Sequence, residues 1–195
     1  HDWSADGARL AATGGKSPGG LPVASVLVWD AADLDQPPRE LRDPEAFVHS
    51  AAFTADGSRL LAASAGRGKG GVRFWSPGGD LLDTLHDPEP EERRPGEFRQ
   101  DIASAVPSPD GRLLAVAGLR KVVVFDLPTR THLGTLARHE RGQRTGPESR
   151  EVASLEFSPD SRLLAVVHAG ADEERTSFIT LHDARSCTRL AILSV

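Results

Sequence analysis

The histidines are where chemistry is most easily imagined in this sequence. His182 stands beside Asp183 at the end of one β-branched run, and His168 closes the run before it. If those runs are neighbouring strands, the two imidazoles are close in space, an arrangement able to bind a metal or relay a proton. A hydrogen-bonded structural pair accounts for them with fewer requirements. His1, His49, His86, His132 and His139 are scattered along the chain rather than clustered. There is no Cys pair, His-Glu-x-x-His or EF-hand pattern, and Asp33-Leu34-Asp35 lacks the Gly and distal Glu of a calcium loop, so no metal is expected. Gly66-Arg67-Gly68-Lys69-Gly70-Gly71 could cradle an anion, but it fits neither nucleotide-binding glycine pattern and reads as a hairpin loop. Ser50, Ser104 and Ser154 recur once per unit, which suits a repeated structural hydrogen bond rather than one nucleophile. Glu91-Glu92 and Glu173-Glu174 lie in charged stretches with no apolar neighbours to raise a pKa. The expectation is a non-enzyme without a cofactor.

These residues ride on a repeat. Val48–Gly57 aligns with Ile102–Gly111 and Val152–Ser161, each with an aliphatic residue, a Ser two later and an Asp eight later. Trp3-Ser4-Ala5-Asp6-Gly7 is the tail of a fourth copy. Asp6, Asp56, Asp110 and Asp160 are thereby structural turn residues, at spacings of 50, 54 and 50. In the Ser-Pro-Asp-Gly form, Pro presets φ, Asp bonds a backbone N–H two residues on, and Gly accepts the positive φ that closes the turn. Each turn leads into an Arg-Leu run, at Arg9, Arg59, Arg112 and Arg162, and the four runs are equated from the Arg onward.

Beyond a loop comes a run closing on a ring and usually an acid: Val26–Asp30, Val72–Ser76, Val122–Asp126 and Ile179–Asp183. Val, Ile, Phe and Trp in runs of this length favour strands. A turn and a weaker run follow, as in Leu81–Leu85, His132–Leu136 and Arg189–Leu193. Each unit holds four short strands, and no window sustains a helical period. The chain is expected to be all-β, in units of about 1–43, 44–87, 98–138 and 150–195.

The aliphatic-x-Ser run, the Ser-Pro-Asp-Gly turn, the Leu-Leu-Ala strand and the endings Trp29-Asp30 and Phe125-Asp126 resemble the WD40 repeat. That resemblance implies a β-propeller of about four four-stranded antiparallel blades. It also implies a network of His, Ser or Thr, Trp and Asp in each blade. Here Ser64 and Trp75 suit their places in the second unit and His139 suits the fourth, but the loop 65–71 lacks the Asp and His182 stands where Trp belongs. Propeller rings close by exchanging a terminal strand, which removes open edges. Starting within an innermost strand and stopping after an outermost one, the chain is expected to be an arc of a seven- or eight-bladed propeller in a larger bacterial polypeptide, continuous with further blades.

Where the repeats differ is in their loops. The Ser-Pro-Asp-Gly connections are short in every copy, whereas Gly14–Ser25, Ala65–Gly71, Gly118–Lys121 and Ala169–Ser177, like Asp43–Phe47, His86–Asp101 and Arg138–Glu151, are unlike one another. Alternating strand directions place both variable classes on one face. Arg67, Lys69, Arg93, Arg94, Arg120, Lys121, Arg138, Arg141, Arg144 and Arg150 make that face the candidate protein-binding surface, because Arg suits bidentate ion pairs at interfaces and loops on a rigid scaffold commonly carry function.

Composition agrees. With 38% hydrophobic residues and 19 Gly the chain can build a core, and 14 Pro add to the turns. A net charge of −5 gives no basic field for a phosphate backbone, so nucleic acid is not an expected partner. No apolar run is long enough for a membrane helix, and the single Cys187 cannot form an internal disulfide. The reading is a cytoplasmic, non-catalytic scaffold or sensing module that binds protein partners. The alternative is a TolB- or lactonase-like propeller that binds a small molecule or serves an attached enzyme domain.

Overall fold

The computed structural model describes residues 1–14, 25–42, 46–66, 71–86, 104–118, 121–138, 152–168 and 177–194, with side chains at all of these except 46, 47, 65, 66, 137 and 138. Sixteen strands and no helix occur among the described residues. They form four antiparallel sheets of four strands, each in chain order. The first holds β1 (Asp2–Trp3), β2 (Arg9–Gly14), β3 (Ser25–Asp30) and β4 (Arg39–Arg42); the second holds β5 (Ala46–Phe53), β6 (Leu60–Gly66), β7 (Gly71–Trp75) and β8 (Leu81–His86). The third holds β9 (Ser104–Pro107), β10 (Leu113–Ala117), β11 (Lys121–Asp126) and β12 (Thr131–Arg138); the fourth holds β13 (Val152–Phe157), β14 (Leu163–His168), β15 (Phe178–Asp183) and β16 (Arg189–Ser194). Two compact units result, His1–Ala105 and Val106–Val195.

Strand position explains composition. The middle strands of the third blade are buried along almost their whole length, which is why Leu113–Ala117 and Val122–Phe125 are nearly unbroken apolar runs. The outermost strand β16 is mostly exposed. In the first unit, Ala11, Val26 and Leu41 of the first blade share a core with Phe53, Leu60, Ala62 and Trp75 of the second. In the second unit, Leu113, Ala115, Val122 and Val124 of the third blade share a core with Leu155, Phe157, Leu164 and Val166 of the fourth. Burying one such Leu or Val fully is worth ~1.5–3 kcal/mol. Both cores follow one rule: the residues beside the strand-ending ring of one blade face the opposite side of the blade before it.

The registers correct one sequence equation. Ser4 N–H bonds the Arg9 carbonyl and Thr54 N–H the Arg59 carbonyl, whereas Ser108 N–H and Ser158 N–H bond those of Leu113 and Leu163. Arg9 and Arg59 therefore occupy the place of Leu113 and Leu163, not of Arg112 and Arg162. The first two repeats insert Ala8 or Ser58 after the turn glycine, and a one-residue slip sends a strand side chain to the other face. Arg9 consequently points at the second blade: its Nη2 donates to the Gly57 carbonyl at 2.9 Å, and its guanidinium lies 5.4 Å from the centre of the Phe53 ring.

Candidate functional site

Because every sheet is an antiparallel meander, each blade has two unlike ends. One end bears the Asp turn and the turn between the third and fourth strands. The other bears the connection between the second and third strands and the link to the next blade.

The turn end is built to one pattern. Ser4, Thr54, Ser108 and Ser158 each donate a hydroxyl proton to the Asp two residues on, at 2.6 Å in all four blades. Each hydroxyl also accepts the N–H five residues on, at 2.8–3.1 Å. The Asp oxygens in turn accept the N–H of Ala8, Ser58, Arg112 and Arg162. Hydrogen bonds to a charged carboxylate favour the charge. The Thr54 hydroxyl, followed by the Ser58 amide and hydroxyl, takes Asp56 down to about 2. Asp6 and Asp160 are lowered chiefly by the Ser4 and Ser158 hydroxyls. Burial works against Asp110, yet the Ser108 hydroxyl and the Arg112 amide still hold it below the usual carboxylate range. The fourth turn position has positive φ in every copy: Gly7, Gly57, Gly111 and, without the freedom of glycine, Ser161 at 61°.

The acid after the strand-ending ring proves to be a turn cap as well. Asp30, Asp126 and Asp183 accept backbone N–H groups from Ala32, Thr129 and Ser186 at 2.8–2.9 Å. In the second blade the Ser76 hydroxyl does this for Asp80. These residues shape the scaffold.

At the loop end, Arg67, Lys69, Arg93, Arg94, Arg120, Arg141, Arg144 and Arg150 lie outside the described residues. Arg138 is the last residue of β12, in register with Lys121. Lys121 departs from the expectation of an exposed loop cation: it is the first residue of β11 and is 7% exposed. A strand residue with a long aliphatic stem can be covered in this way, so it leaves the candidate surface.

The structure does bring the two histidines together. His168 ends β14, across from Phe178 and stacked on it with centroids 4.5 Å apart, while His182 sits across from Leu164. Neither touches the other directly in the hydrogen-bond pattern; both Nε2 atoms lie 3.0 Å from the Thr180 hydroxyl oxygen. Thr180 is the residue sequence reasoning missed, since a Thr inside a β-branched run looks like any strand former. Burial pushes the His182 imidazole below its ordinary range, against a smaller opposing pull from the Cys187 backbone. Burial also raises the Cys187 thiol, with the Asp183 charge adding to it. Among the described residues no group of three or more His, Cys, Asp or Glu is placed to hold a metal ion.

Solved structures share this fold of four-stranded antiparallel sheets. The hydrazine synthase of Kuenenia stuttgartiensis matches with a TM-score of 0.70 and 17% identity, over 100% of this chain and 48% of that one. The Myceliophteria thermophila Cps50 (Swd1) β-propeller domain matches with a TM-score of 0.67 and 15% identity, over 99% of this chain and 54% of that one. The fold is that of a β-propeller. TolB from Acinetobacter baumannii, a further propeller match, has a TM-score of 0.62 and 17% identity, over 100% of this chain and 42% of that one. The chain thus spans about half the length of these solved structures. No family model and no curated protein matches the sequence. No helix among the described residues is long and apolar enough to cross a membrane.

Proposed function

We propose that this propeller segment is a non-catalytic scaffold or sensing module in a bacterial cytoplasmic polypeptide, binding protein partners through the loops at the loop-bearing ends of its blades. The observation that carries this reading is the contrast between the two ends. One end repeats a single Ser/Thr–Asp network four times, while the connections at the other differ in length and charge from blade to blade. A scaffold that keeps one end constant and diversifies the other suits recognition more than repeated chemistry.

Further blades belong to the same reading. Leu10, Ala12 and Trp29 are only partly buried, although their second-blade counterparts Leu60, Ala62 and Trp75 are 2%, 0% and 7% exposed. Likewise Ala165, Val167, Ile179 and Leu181 are partly buried where their third-blade counterparts Ala115, Ala117, Val122 and Val124 are 0% exposed. Both half-open faces are of the kind that a neighbouring blade covers elsewhere in the chain.

Cross-linking mass spectrometry on partners captured with the full chain tests the proposal. Cross-links concentrated on residues 87–103 and 139–151 are expected. Cross-links concentrated on the Asp-turn ends, or turnover of a substrate by the purified chain, would overturn it.

A further inference from the structure

Junctions between blades show what one blade offers the next. The Asp2 carboxylate of β1 accepts the Phe53 N–H of β5 at 2.8 Å, and the Ser50 hydroxyl of β5 accepts the Ala105 N–H of β9 at 3.2 Å. An innermost strand thus turns side-chain acceptors toward backbone N–H groups of the innermost strand that follows it. Beside the first of these bonds Arg9 lies over the Phe53 ring, and in the second unit Leu113, in the place of Arg9, shares a core with Phe157.

The fourth blade carries all three parts of such a joint on the side turned away from the third blade. Glu156 pairs with Ala165, one step before the aromatic residue of its strand, as Asp2 pairs with Ala11 one step before Trp3. Ser154 follows the register shift of β13 as Ser50 follows that of β5. Leu163 stands where Leu113 does. Ser154 and Glu156 are exposed and Leu163 is 37% exposed, on the same side as the half-open Ala165, Val167, Ile179 and Leu181.

We propose that this side docks the innermost strand of a further blade, one with an aromatic residue directly before a Ser/Thr-x-Asp turn. Glu156 accepts the N–H of that aromatic residue, Ser154 accepts the N–H two residues earlier, and Leu163 covers the ring. The joint rests on the further blades proposed above and specifies what the next of them presents. Covering an apolar face that holds an unpaired carboxylate is costly, so the covering strand has to bring a donor to Glu156, and a backbone N–H on a carboxylate makes a charge-assisted bond. N–H groups two residues apart leave a strand by the same edge, which matches the two-residue spacing of Ser154 and Glu156. An aromatic ring against Leu163 repeats the core that Leu113 shares with Phe157.

The test replaces Leu163 with the photo-cross-linker p-benzoylphenylalanine in the native polypeptide and maps the cross-linked peptide by mass spectrometry. The expected product joins position 163 to an aromatic residue directly before a Ser/Thr-x-Asp turn in a further blade. A cross-link to a further blade at any other place overturns this joint and leaves the further blades standing. Trp3 also precedes such a turn; a cross-link to it, in the same chain or a second copy, overturns the joint and the further blades together. Should the variant not fold, hydroxyl-radical footprinting of wild type decides instead. Leu163, Ile179 and Leu181 are expected to be labelled as weakly as the buried Leu113 and Leu164, and severalfold less than the exposed Leu190. Leu163 labelled as heavily as Leu190 overturns the proposal.

Discussion

Ser161 holds φ at 61° and its hydroxyl accepts the backbone N–H of Asp110 at 3.0 Å. A residue in the glycine slot of one blade's turn thus pins the turn of the blade before it. The side chain repays its left-handed backbone with a bond that glycine could not make.

That relationship makes the two obvious substitutions unequal. Ser161→Ala keeps the unfavourable φ and removes the acceptor, and should destabilise the second unit by ~1–3 kcal/mol. Ser161→Gly relieves the backbone and should cost less. Urea unfolding of both variants checks this; a reversed order would show that the left-handed backbone at 161 costs nothing, and an unchanged midpoint in Ser161→Ala that the hydroxyl contributes nothing.

The turn hydroxyls should matter more than their exposed carboxylates. Ser108 is 1% exposed and serves both the Leu113 N–H and Asp110. Ser108→Ala strands the Leu113 amide and should cost ~1–3 kcal/mol, read as a drop in urea midpoint at constant m-value. Ser108→Thr, the residue type of Thr54, should restore most of it.

Acid should act on the turns. Asp56 is lowered to about 2 by Thr54 and Ser58, so its contribution is complete above the unfolded carboxylate value of about 3.9 and is lost as pH falls through the folded value. Between about pH 4 and pH 2, Asp56→Asn should flatten the dependence of the midpoint on pH. A slope equal to that of wild type would contradict this.

Close packing predicts a steric penalty at Gly71. A Cβ there would meet the Leu85 carbonyl oxygen at 2.8 Å and the Thr84 methyl at 3.0 Å. Gly71→Ala must push β8 away from β7 and should cost ~1–3 kcal/mol; thermal unfolding of the variant measures it.

The strand count and the turn Asp residues were legible because both rest on local chemistry, β-branched runs and Asx turns that need no partner to be recognised. The register of the Arg-Leu runs was not. Ala8 and Ser58 are the kind of small residue a turn absorbs unseen, and only the pairing shows that Arg9 lies where Leu113 does. Lys121 read as a loop residue because its charge outweighed its place beside Val122 and Val123; burial on the sheet won. Thr180 was hidden by its own strand propensity. The ring and acid pattern put His182 at the ring position of its strand, which the structure pairs with Leu164, but what the ring bonds to depended on a face that sequence spacing alone does not fill.

The binding role itself is tested most directly by charge reversal with an internal control. One variant replaces Arg93, Arg94, Arg141 and Arg144 with Glu; the other replaces Arg112 and Arg162, which are exposed at the turn ends. Affinity for each cross-linked partner is then measured by titration calorimetry. The scaffold account predicts at least a tenfold loss, about 1.4 kcal/mol, in the first variant and none in the second. Unchanged affinity in the first variant for every partner would contradict it.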